Sequence, residues 1–387
     1  MRAAQMTSAE ILARLIAFDT VSHRSNLALI AWVEGYLAEH GVASHRVPDA
    51  SGEKASLVAS IGPAEAPGYV LSGHTDVVPV EGQDWRSDPF EPRIEDGRLY
   101  GRGAADMKGF LACALAAVPR MVGAPLARPI HLAFSYDEEV GCVGVRPMLA
   151  EMADWPVRPL GCIVGEPTEM GVVTGHKHKL SKRVVVRGRT GHSSLAPQAV
   201  NAAEYAARLV TVISEIGRRL AVEGARDPLY DVAHTTAHVG RFWGGTQLNI
   251  VPDRAEIEFE FRAVGADDPF ALLAEVEAEA DRLCAEMQGV APEAEIVFEP
   301  YSHIPGLETA PDQALVTLVK RLAGQNGHSK VAYSTEGGLF AQMAGIPTVV
   351  CGPGAIAQAH KADEFVALAQ LEACDGFLER QIEEGSA

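Results

Sequence analysis

The chain has 387 residues, 47% of them hydrophobic and 22% charged, which supplies ample core-forming material and excludes a disordered chain. Its 33 basic and 51 acidic side chains leave a formal net charge of −18, which argues against nucleic acid or an anionic membrane as the main partner. At roughly 150 residues per domain, two domains are expected. The first helix starts at a cap of Thr7 or Ser8 and runs to about residue 18, and a second at 27–40 ends at Gly41. Ahead of them, Met1 to Ser8 has neither the unbroken apolar stretch nor the cleavage site of a leader, and no transmembrane run follows.

Apolar runs at 56–61, 69–72, 130–136, 161–164 and 347–351 then predict strands, with helices at 110–122 and 313–323 between them. That alternation is the signature of an α/β domain. From about 180 to 301 the order becomes strand 181–187, helix 200–220, strand 235–242, strand 254–262, helix 269–287 and strand 294–299, which predicts an α+β ferredoxin-like unit. Chemistry-bearing residues lie on both sides of it. The expected organisation is therefore a discontinuous α/β domain over 1–179 and 302–387 with 180–301 inserted into it. The six cysteines, Cys113, Cys142, Cys162, Cys284, Cys351 and Cys374, never form a CxxC pair and read as reduced core residues of a cytoplasmic protein.

His74, Asp106, Glu139, Glu166 and His360 each follow an apolar, strand-like run. In an open α/β sheet, residues at the carboxyl ends of strands converge on one crevice however far apart they are in sequence. Two histidines and three carboxylates, with Glu138 beside Glu139, suit a dinuclear metal centre with a general base. In His74-Thr75-Asp76, the outer residues share one side of an extended chain, so Asp76 is placed to fix the tautomer of a ligating imidazole. Alone, the tripeptide reads more readily as a strand-end histidine in a polar turn.

Gly101 to Gly109 supplies a glycine-rich turn, an acid and a helix start. The turn superficially resembles a dinucleotide loop, but Asp106 stands where the third glycine belongs, and an acid bridging two metals fits better. Asp137-Glu138-Glu139 lets one carboxylate ligate while its neighbour hangs over bound water; taken alone it is also a solvated acidic turn.

The segments HTDVVPV at 74–80, GRGAADMKG at 101–109, DEEVG at 137–141, GEPT at 165–168, GHSSLAP at 191–197 and GPGAIAQAHK at 352–361 resemble those of the dinuclear zinc aminoacylase and carboxypeptidase family. FDTVS at 18–22, GHK at 175–177 and GPGAIAQAH at 352–360 are most similar to the branch that deacetylates N-acetyl-L-ornithine. The resemblance implies a zinc-peptidase-like catalytic domain with an inserted dimerisation lid, and hence a homodimer acting on a small N-acyl amino acid. It also implies two Zn²⁺ per subunit, with Co²⁺ able to substitute. His74 and His360 would each hold one ion, Glu139 and Glu166 would each complete one, and Asp106 would bridge. Glu138 would accept the proton of water and pass it to the departing amine.

By the same resemblance, His192 would reach across a dimer interface to stabilise the oxyanion, and Asn249 and Arg262 would hold the substrate carboxylate. Read by itself, His192 is a helix-entry residue and Arg262 a surface strand residue. Glu336 is a candidate reader of a side-chain ammonium. His178 departs from the pattern, which usually has a glycine after Lys177, so substrate choice is less constrained than chemistry. The remaining alternatives are another N-acyl amino acid, succinyl-diaminopimelate or a dipeptide as substrate, or a metal-binding protein without catalysis.

Overall fold

Four parallel strands form the centre of the larger sheet: Ile130–Ser135, Tyr69–His74, Gly161–Val164 and Thr348–Val350, in that order. In this computed structural model, which describes residues 6–386, they are buried almost throughout, which explains their continuous apolar runs. Met1 to Gln5, part of the segment read for a leader, lies outside the described residues. Antiparallel strands extend the sheet on both sides, Ala55–Ile61 and Ser44–Pro48 beyond Ile130–Ser135, and Val173–His176 beyond Thr348–Val350.

The chain divides into two units, one of Met1–Gly175, Leu307–Lys330 and Thr335–Ala387, the other of His176–Gly306 and Val331–Ser334. In the first, the helix Lys108–Gly123 packs against Ser8–Ile16 and Leu368–Gly385. Its Phe110, Leu111 and Leu115 join Leu71, Leu132, Phe134 and Ile163 of the sheet in one core. Thr7 caps the first helix in a reciprocal box with Glu10. That helix ends at Ile16 and the second, Leu27–Glu39, stops before Gly41, whose φ of +75° takes the left-handed turn.

Two glycines set how closely the strand ends approach. A Cβ at Gly165 would lie 1.9 Å from the Phe110 ring, and one at Gly352 would lie 2.1 Å from the Gly165 carbonyl oxygen. Side chains at these positions would force apart the backbones that lead to Glu166 and His360.

The second unit has a four-stranded antiparallel sheet in the order Thr236–Gly244, Arg254–Ala263, His178–Arg187, Glu295–Ile304. With helices Ala202–Glu223 and Pro269–Gln288 the chain order is βαββαβ, and the first and third strands are central, the ferredoxin-like arrangement. Ala255, Ile257, Phe259 and Phe261 share a core with Leu209, Ile213, Val276 and Leu283 of the helices. Glu256, Glu258, Glu260 and Arg262 alternate with them and so take the opposite face. No helix among the described residues is long and apolar enough to cross a membrane.

Candidate metal centre

The parallel strands bring their carboxyl ends to one edge of the sheet, and there the candidate ligands meet. His74 ends its strand and is 1% exposed. Its Nδ1–H donates to the Asp76 carbonyl at 2.9 Å. In a neutral imidazole Nε2 is then the unprotonated nitrogen, yet it lies 3.0 Å from Asp106 Oδ1 and 3.8 Å from Glu166 Oε1. Lone pairs face one another, and only a proton or a metal cation between them relieves that arrangement.

Asp106 spans two such clusters. Its Oδ1 faces His74, while Oδ2 lies 3.2 Å from His360 Nε2, which is also 3.2 Å from Glu139. Ligand atoms of His74, Asp106 and Glu139 lie within 4.8 Å of one another, as do those of His74, Glu138 and Glu166. Each carboxylate oxygen of Asp106 thus serves a different histidine, the disposition a bridging ligand requires.

The electrostatics of these groups without a cation point the same way. Burial pushes Glu138 up to about 8, with Glu139, Glu336 and Asp106 adding to the rise against His74. Glu139 is pushed up to about 7 by burial and Asp106, and Glu166 well above its ordinary value by the same two causes. Asp106 goes the other way: burial opposes its charge, but His360 and His74 outweigh that and hold it well below the usual carboxylate range. The Asp106 and Glu139 carboxylates raise His360 to about 10. For His74, burial works against the cation, and Asp106, Glu166 and Glu138 overcome it. Such a buried acidic cluster is an oxygen and nitrogen donor set suited to divalent ions, zinc among them.

Asp76 differs from expectation. Its backbone carbonyl, rather than its carboxylate at 3.6 Å, is the nearer partner of His74 Nδ1. The carboxylate instead accepts the N–H of Glu138 at 3.0 Å, that of Glu139 at 3.4 Å and the Ser22 hydroxyl at 2.7 Å. The reason is local: past His74 the strand has ended, so the side-chain alternation that would aim the carboxylate at the imidazole no longer holds.

Glu336, the candidate reader of an ammonium, is enclosed. It is 1% exposed and accepts the hydroxyls of Ser72 and Ser135, and burial pushes its carboxyl up to about 7. Each carboxylate oxygen thus accepts one hydroxyl inside the protein. Glu336 ties together the ends of the strands that carry His74 and the Glu138–Glu139 turn.

The other candidates lie in the second unit. His192 pairs with Ile250 in a two-residue ribbon and is exposed; its Nδ1 accepts the N–H of Ser194 at 3.2 Å, which leaves Nε2 protonated. Asn249 is its neighbour, since its carbonyl accepts the Ser193 N–H at 3.0 Å. Arg262 donates through Nε to Glu260 at 2.9 Å and through Nη1 to Ser334 at 3.3 Å, so its fork is already partly engaged. His178 places Nε2 2.8 Å from Nε2 of His303, with Phe270 edge-on to both rings.

Sequence reasoning missed Ser22, Ser135 and Glu364 as supports of the site. Ser22 and Glu364 lie in or beside the quoted motifs, but nothing in the sequence reveals which backbone groups they would meet.

A family model described as Peptidase family M20/M25/M40 matches residues 70–384. An acetylornithine deacetylase of Yersinia pseudotuberculosis is 33% identical over 362 residues, 92% of this chain and 90% of that protein. One of Proteus mirabilis is 32% identical over 358 residues, 92% of this chain and 89% of that protein. Among solved structures, the M20 family metallo-carboxypeptidase Sso-CP2 from Sulfolobus solfataricus aligns with a TM-score of 0.78 at 19% identity, covering 98% of this chain and 99% of that one.

Proposed function

The chain belongs to peptidase family M20/M25/M40 and is a metal-dependent amide hydrolase; from that premise we propose that it converts N-acetyl-L-ornithine and water to L-ornithine and acetate. The observation that carries the chemistry is Asp106 between two histidines, Oδ1 toward His74 and Oδ2 toward His360. His74 and Glu166 would hold one Zn²⁺ and His360 and Glu139 a second, Asp106 would serve both, and Co²⁺ would be an acceptable substitute. Such ions would supply Lewis acidity to polarise the acyl carbonyl and acidify water.

The chain's own residues do the rest. Glu138, adjacent to the ligand Glu139 and grouped with His74 and Glu166, takes the proton of water and returns it to the leaving amine. Asp76 holds the backbone from which Glu138 projects. For His192 we keep the role of stabilising the oxyanion from a partner subunit of a homodimer formed through the inserted unit, and for Asn249 and Arg262 that of holding the substrate carboxylate. Sedimentation equilibrium tests the dimer. Six free cysteines fit a cytoplasmic location, where thiols stay reduced.

The choice of substrate is supported by relatives about one-third identical over nine-tenths of the chain. It is tested by kcat/KM of the Zn²⁺-loaded protein for N-acetyl-L-ornithine, N-succinyl-diaminopimelate and N-acetyl-L-methionine. A strong preference for the first is expected. Preference for another keeps the hydrolytic chemistry and replaces the substrate.

A further inference from the structure

Arg102 and Glu364 form an ion pair in which both side chains are 1% exposed. Glu364 Oε2 accepts Arg102 Nη1 at 2.7 Å and the Gly103 N–H at 3.0 Å, while Oε1 accepts the N–H groups of Ala105 at 2.9 Å and Asp106 at 3.1 Å. Its backbone carbonyl takes the Gly101 N–H at 2.9 Å. One residue thus satisfies four backbone donors of the loop that ends in Asp106. Arg102 reaches outward from the pair, to the Lys361 carbonyl at 3.3 Å, the Pro79 carbonyl at 3.4 Å and Gln83 Oε1 at 2.5 Å. Gln83 Nε2 in turn donates to the His360 carbonyl at 3.3 Å, and the Trp85 ring lies 5.0 Å from the guanidinium.

These contacts join three segments: the chain after His74, the loop of Asp106, and the turn of His360, whose φ is +61°. We propose that Arg102 and Glu364 are positioning residues, a buried frame that fixes Asp106 and His360 at ligand spacing before any ion arrives. The proposal rests on the reading of Asp106 and His360 as metal ligands.

The reason lies in what the loops carry. Asp106, Glu139 and Glu166 repel one another wherever more than one is ionised, as a ligand set requires, and flexible loops would splay. A metal site tolerates misplacement of only about 0.2 Å. The frame also demands a carboxylate, because it is the one side chain that accepts on both oxygens with no donor of its own. Glutamine at 364 would set its NH₂ against either Arg102 and Gly103 or Ala105 and Asp106.

The test is calorimetric titration of Zn²⁺ into chelator-stripped wild type, E364Q and Q83L, with circular dichroism to confirm the fold. Folded E364Q is expected to bind zinc about 10–100-fold more weakly, the usual effect of removing a partner behind the ligands. Q83L, altered at a partly exposed position, is expected to bind several-fold more weakly. Zinc affinity within twofold of wild type in folded E364Q overturns the frame; if E364Q does not fold, unchanged affinity in Q83L does so alone. A wild type that takes up no zinc removes the metal-centre reading itself, and the frame with it.

Discussion

The Asp76 carboxylate accepts the backbone N–H of Glu138 at 3.0 Å, so the residue two positions after His74 fixes the turn from which the candidate base projects. Ser22 holds the same carboxylate from the other side at 2.7 Å. Loss of this anchor should be felt in turnover more than in metal binding. We expect Asp76→Ala to lower kcat roughly 10–100-fold while the zinc content of the purified protein stays near wild type. Turnover unchanged by the substitution would show that the anchor does not matter to Glu138.

Glu138 itself should separate chemistry from binding more sharply. Glu138→Ala is expected to cut kcat by roughly 10²–10⁴, the usual worth of a positioned acid–base group, with zinc affinity altered only a few-fold. Calorimetry and steady-state rates on the same sample decide it. Hydrolysis at the wild-type rate would remove Glu138 from the base role.

Removal of metal by a chelator should abolish hydrolysis, and titration with Zn²⁺ or Co²⁺ should restore it. The buried carboxylates cannot polarise an acyl carbonyl by themselves, since they carry the wrong charge for it. Full activity in demonstrably metal-free protein would sink the mechanism.

His131 offers a prediction about stability, away from the candidate ligands. It lies on the strand Ile130–Ser135 opposite Ser60, whose hydroxyl is hydrogen-bonded to its Nδ1 at 2.8 Å, with the Trp155 ring 5.0 Å away. Burial pushes its pKa down to about 4, against about 6.5 when unfolded. The unfolded chain therefore binds the proton more readily. The stability His131 contributes is complete above pH 6.5 and is lost as pH falls to and through about 4, on the order of 3 kcal/mol at full titration. In metal-free protein, where ion release plays no part, the thermal midpoint of His131→Phe should gain on wild type as pH is lowered from 7 to 4.5. A constant difference would contradict the assignment.

Much of the fold was legible from local pattern. The continuous apolar runs at 69–72 and 161–164 became strands Tyr69–His74 and Gly161–Val164, buried at the centre of the sheet, and the βαββαβ order became a four-stranded sheet with two helices. The strands Arg93–Glu95, Arg98–Tyr100 and Phe365–Ala367 escaped notice because three residues are too few to show a period. The long insert strands were predicted short at one end, since charged and histidine residues at His178 and Lys179 interrupt the apolar run while the backbone ladder continues to Arg262 and Ala263.

The sequence by itself determined which acids and histidines were candidates, because His74, Glu139 and Glu166 stand at or just past strand ends that can be read from hydrophobic runs. It did not determine which atoms face each other. That His74 is held by the carbonyl of Asp76, that Ser135 and Glu336 meet across 201 positions, and that Glu364 gathers the N–H groups of Gly103, Ala105 and Asp106 are facts of the tertiary structure. The physical reason is that a hydrogen bond depends on distance and direction in space, which chain closure sets, whereas a hydrophobic period is written along the chain itself.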